Sequence, residues 1–157
     1  IWVAMKYLLA AFCLLIVSCA KTPEGLTVST YHLRESMFQE NGDPMVRGEI
    51  QRYLHGAVTV EERRQKIGQY YHVTWKHSDQ LPSGLAGKTE VVFEYLQAAS
   101  GSQIKRIVQR AQSPAQADAY FTIAGKDYAK NGRVLAWRVS VRNNGETLAS
   151  KQSYLWR

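Results

Sequence analysis

From residue 69 onward, apolar and polar side chains alternate with a period of two, the pattern of strands with one buried and one wet face. In residues 70–76, Tyr71, Val73 and Trp75 share one face, and Tyr70, His72 and Thr74 share the other. Val91, Phe93 and Tyr95 align in residues 89–97, and Phe121 and Ile123 in residues 118–124. The clearest run is 133–142, where Leu135, Trp137, Val139 and Val141 alternate with Ala136, Arg138, Ser140 and Arg142. Residues 103–110 predict a strand in which Ile104 and Val108 oppose Lys105 and Gln109. Asn144-Gly145 predicts a type I′ hairpin into a last strand over 146–156, with Leu148, Tyr154 and Trp156 on one parity.

Ahead of residue 69 the pattern is weaker. Residues 28–34 predict a first strand, and Ile50, Arg52 and Leu54 alternate well enough to predict another over 49–55. Thr59-Val60-Glu61-Glu62 reads as a capping box, with Thr59 at the N-cap and Glu62 three residues on, so a short helix is expected over 60–66. Residues 35–44, 77–88, 98–102, 111–117 and 125–132 carry the Gly, Pro, Asn and Ser of turns and loops.

About seven strands with short turns must bury their dry faces on one another. The predicted fold is therefore all-β, a sandwich in the immunoglobulin or fibronectin III size class, with an N-terminal signal helix and one short helix. A closed barrel of lipocalin type is the alternative.

The first residues obey a different rule. Met5 is the expected start, which sets residues 1–4 outside the fold. Lys6 precedes an uncharged apolar run over 7–17 that is too short for the ~20 residues of a spanning helix. The run ends in Ile16-Val17-Ser18-Cys19, two aliphatic residues, a small residue and a cysteine. This resembles the lipobox of bacterial lipoproteins. The resemblance covers the leader alone, 1–18. It implies cleavage before Cys19 and attachment of diacylglycerol to its thiol, a membrane anchor. Residues 19–27, with Pro23 and Gly25, read as a tether to a domain over 28–157. Ala20 stands where lipoproteins kept at the inner membrane of Gram-negative bacteria carry aspartate, which resembles sorting to the outer membrane, facing the periplasm.

Taking residues 1–18 from 157 leaves 139, enough for one domain with a real core. Only Cys19 of the two cysteines remains, so no disulfide or cysteine metal site is expected. The leader removes one lysine, which lowers the formal net charge from +7 to +6. Those charges are dispersed, the pattern of a solvated surface rather than a patch. An exported chain without a nucleic-acid motif is not expected to bind nucleic acid.

Candidate chemistry is sparse. His72 and His77 are five apart, on opposite faces of a continuing strand, and make no ready metal pair. Asp79 lies near His77, but no Gly-x-Ser-x-Gly elbow accompanies them. Glu90 and Glu94 share the wet face of a strand. No residue is assigned a catalytic or metal-binding role, and no cofactor is expected. The aromatics carry more. Trp75 and Trp137 read as core, whereas Tyr70, Tyr120, Tyr128 and Trp156 are the candidate binding surface. The expected function is non-enzymatic binding or scaffolding at the envelope, with a protein or polysaccharide partner. A carbohydrate- or peptidoglycan-binding module is the alternative, and an envelope hydrolase the third class.

Overall fold

The computed structural model describes residues 25–39, 42–75, 89–111 and 117–156. The leader with Cys19 and most of its tether, and the loop holding His77 and Asp79, lie outside the described residues. Two antiparallel sheets face each other. One has the order β1 (Leu26–Leu33), β2 (Gly68–Trp75), β5 (Asp118–Ala124). The other has the order β4 (Lys105–Arg110), β3 (Thr89–Gln97), β6 (Val134–Asn143), β7 (Glu146–Gln152). Between β1 and β2 the chain inserts a 3-10 turn (Glu35–Gln39), α1 (Pro44–Leu54) and α2 (Val60–Lys66). A third helix, α3 (Gly125–Asn131), joins β5 to β6.

The core forms where the inward parities of both sheets meet. Tyr71 and Val73 come from β2, Phe121 and Ile123 from β5, Val91 and Phe93 from β3, and Val139 and Val141 from β6, each at most 2% exposed. Phe93 is the hub, with ring centroids 4.7 Å from Tyr71 and 5.0 Å from Phe121. Burying one such ring is worth roughly 1.5–3 kcal/mol relative to leaving it in water. Gln69 ties the sheets together at one end, its Oε1 accepting from the Val134 amide at 2.5 Å. On one side β1 runs beside β7. On the other, Gln109 Nε2 donates to the Tyr120 carbonyl of β5 at 2.6 Å. Gly68 is required by close approach, since a Cβ there would fall 2.2 Å from the Ile123 carbonyl oxygen.

Several expectations change, each for a physical reason. The strand expected over 49–55 is instead the C-terminal part of α1. Asp43 caps it by accepting from the Met45 amide at 2.7 Å, Pro44 sits in the first turn, and Ile50 turns inward at 6% exposure. The connection over 125–132 is mostly helix, closed by Gly132 at φ 76°. The fold thus has three α-helices among the described residues rather than one short one. In β4 the inward residue is Ile107, opposite Phe93, and Ile104 and Val108 are exposed.

Two bulges move single residues. Leu96 faces Ala136 and Gln97 faces Val134, so Leu135 is the extra residue and turns outward. Val141 faces Ala149 and Arg142 faces Thr147, which turns Leu148 out in the same way. The capping box and the hairpin form as expected. Thr59 Oγ1 accepts from the Glu62 amide at 3.1 Å while Glu62 Oε2 accepts from the Thr59 amide at 2.8 Å. Asn144 and Gly145 both take positive φ, 50° and 87°.

Candidate functional site

The four aromatic residues read from the sequence do not meet on one surface. Tyr70 and Tyr120 share the outward face of the β1-β2-β5 sheet. Tyr120 is 59% exposed and lies parallel to His72, ring centroids 4.3 Å apart. Tyr70 is half-buried, its hydroxyl donating to the Lys66 carbonyl and its ring 4.4 Å from Tyr53 of α1. Tyr53 in turn stacks on Tyr31 at 4.3 Å, so α1 is glued to the sheet by three tyrosines. Burial, and secondarily Tyr53, pushes the Tyr70 hydroxyl up to about 12, which keeps it a neutral donor.

Tyr128 sits on α3 and is bonded to His32, Oη to Nε2 at 2.6 Å. Burial, then the Arg34 and Arg133 guanidinium groups, lower the His32 pKa and favour the neutral imidazole in this contact. Trp156 is buried against the other sheet, beneath the Arg138 guanidinium at 5.1 Å. Arg138 also donates to Glu94 at 2.6 Å. Three of the four aromatics are therefore engaged in holding the fold, and only Tyr120 offers an open ring.

Ser29 faces His72 across β1 and β2, and His72 Nε2 lies 3.8 Å from Asp118 Oδ2. The His72 ring stacks along the strand-to-strand direction on Tyr120, with planes 3° apart, so it presents a face rather than a nitrogen to Ser29. That is not the geometry of a base poised on a hydroxyl. At one pole, Lys105 Nζ donates to Gln97 Oε1 at 2.6 Å and to Asp127 Oδ1 at 2.7 Å, and Asn131 donates to the same carboxylate at 2.8 Å. Burial pushes the Asp127 carboxyl up, but Lys105 and Asn131 outweigh it and hold the group below its ordinary value. Every member is satisfied by another, and the network pins α3 to β3 and β4. Among the described residues no group of three or more His, Cys, Asp or Glu side chains could hold a metal ion.

Among the described residues, an open groove lies in the helical insertion. The 3-10 turn, α1 and the start of α2 enclose a groove of about 400 Å³. Met37, Phe38, Ile50, Leu54 and Ala57 line its floor, and Arg47, Gln51 and Arg63 its rim. On α1 the residues Arg47, Ile50, Gln51 and Leu54 are spaced i, i+3, i+4, i+7 and form one stripe along the groove. Tyr53 points to the sheet instead. Exposed Met45, Val46, Val58 and Val60 widen the apolar surface of the same insertion. A volume of this size falls within the ~300–1,000 Å³ of small-ligand sites. Sequence reasoning missed the groove because it read 49–55 as a strand. The signal was Asp43-Pro44 followed by that helical spacing.

The groove has a defined place in the fold. β1 carries the chain from Leu26 at one pole to Leu33 at the other, where the insertion begins. Eight residues of strand span roughly 25 Å. The groove and α3 thus sit at the pole opposite the N-terminal end of β1. Among the described residues no helix is long and apolar enough to cross a membrane. No family model, curated protein or solved structure matches this chain.

Proposed function

We propose that this protein is an exported lipoprotein of the bacterial envelope, anchored through Cys19, whose domain binds or scaffolds a partner rather than catalysing a reaction. The observation that carries the binding reading is the apolar groove between the 3-10 turn, α1 and α2, left open while the Lys105, Gln97, Asp127 and Asn131 side chains satisfy one another. The anchor at Cys19 would hold the domain at the outer membrane, facing the periplasm. Sugar stacking is the weaker reading, because of the four aromatics expected to bind, Tyr70, Tyr128 and Trp156 are each held by the fold and Tyr120 alone is open.

We also infer an immunoglobulin or fibronectin III type of sandwich. Its support is the strand order, first-second-fifth facing fourth-third-sixth-seventh, which matches sandwiches whose fourth strand joins the sheet of the third, sixth and seventh. The insertion between the first two strands is then an addition to that plan.

The test expresses the full chain and its Cys19→Ala variant in a bacterial host, with a photo-reactive amino acid at Val58 beside the groove or at Leu148 on the edge strand. The proposal expects wild-type protein in the detergent phase, with a diacylglyceryl mass on a chain starting at Cys19, and cross-links at Val58 but not Leu148. Equal partitioning of the two chains would remove the anchor. Equal cross-linking at the two positions would remove the groove as the binding surface.

A further inference from the structure

We infer that the groove takes a single-chain amphiphile with an anionic head, a free long-chain carboxylate; the inference rests on the groove being the binding surface but not on the anchor. The apolar floor sets the first half of that chemistry. Met37, Phe38 and Leu54 are half-buried and Ile50 is buried, so an alkyl chain laid there removes surface that the fold leaves partly wet.

The charge pattern sets the second half. Every described acid of the insertion is committed elsewhere. Asp43 caps α1, Glu62 caps α2, and Glu61 accepts from Gln65. Glu35 pairs with Arg64, and Glu49 with Arg52. Arg47 and Arg63 have no ion pair among the described residues, and both line the groove. A carboxylate head is the complement of two exposed guanidinium groups, which offer forked donors to it.

Size selects one chain. The stripe from Arg47 to Leu54 rises about 10 Å along α1. A docked helix, itself ~10–12 Å across, would need a longer and wider trough. The groove's volume of about 400 Å³ lies near the low end for ligand sites and suits one alkyl chain rather than two.

The test uses unfractionated cells expressing the full chain. They are photolysed with dodecanoate carrying a diazirine at the chain end, and the labelled residues are mapped by mass spectrometry. The comparison probe has the same chain with a trimethylammonium head. The expected result is labelling within residues 37–57 that excess plain dodecanoate competes away. The cationic probe should label there roughly tenfold less, the scale of a lost charge-assisted contact. Arg47→Gln with Arg63→Gln should cut dodecanoate labelling about as much, with the domain's protease resistance unchanged. Ala57→Trp, which fills the groove without altering charge, should abolish it. Labelling that is not competed, or equal labelling by both probes, or labelling indifferent to the arginine pair overturns the inference. If dodecanoate fails while the reactive residue at Val58 still gives specific cross-links, the carboxylate is wrong and the binding surface stands. If both fail, both readings fall.

Discussion

Phe93 sits at the centre of the sandwich with none of its surface in water, whereas α2 has no buried residue at all. The two regions are held by different physics. The sandwich relies on area removed from water and on rings in contact across two sheets. The insertion relies on caps, the tyrosine stack and one buried isoleucine, Ile50. Regions with few buried contacts open first, and binding surfaces are drawn from them. The apolar groove belongs to the lightly held region, while the sandwich supplies the rigid base beneath it.

That contrast can be broken most directly at its core. Phe93→Ala should cost about 3–5 kcal/mol in chemical denaturation and destabilise both sheets together. A loss under ~1 kcal/mol would mean that the two sheets do not share one core. Next in size is the tie between the sheets. Gln69→Leu leaves the Val134 amide without its acceptor, and the expected cost is about 1–3 kcal/mol in the same measurement.

The insertion predicts a smaller and local response. Thr59→Ala removes the cap on α2 at about 1 kcal/mol. Hydrogen exchange should then speed up over residues 60–66, while the amides of β3 and β6 keep their protection. Uniform acceleration in all three would show that insertion and sandwich unfold as one unit.

The smallest effect sharpens the junction of β1 with α3. The His32 pKa is lowered in the fold, so the unfolded chain takes up its proton first as pH falls. The stability that goes with a neutral His32, buried beside Arg34 and Arg133, is complete above the ordinary value of 6.5 and declines as pH drops from there through the folded value. Melting followed from pH 7 to pH 5 should show this decline, and His32→Gln should flatten that part of the profile. A slope unchanged in the variant would assign it to another group.

Local chemistry made much of the sandwich legible. Tyr71, Val73, Val91, Phe93, Phe121 and Ile123 declare their inward parity by simple alternation, because a strand's side chains change face at every residue. Thr59 with Glu62, and Asn144 with Gly145, announce a helix start and a hairpin from residues that touch only near neighbours. What needs a distant partner was hidden. Ile50 and Leu54 fit alternation as well as helical spacing, and the tyrosines waiting on the sheet at Tyr31 and Tyr70 lie far from α1 in the chain. Leu135 and Leu148 were turned out by bulges that exist only against the neighbouring strand. Lys105 lies on an inward parity because Gln97 and Asp127 come from other elements to receive it. The sequence by itself determined which faces of the strands are dry. The tertiary structure alone decided which aromatics stay exposed and that a groove lies between helices, since both depend on contacts between segments that alternation along one segment does not encode.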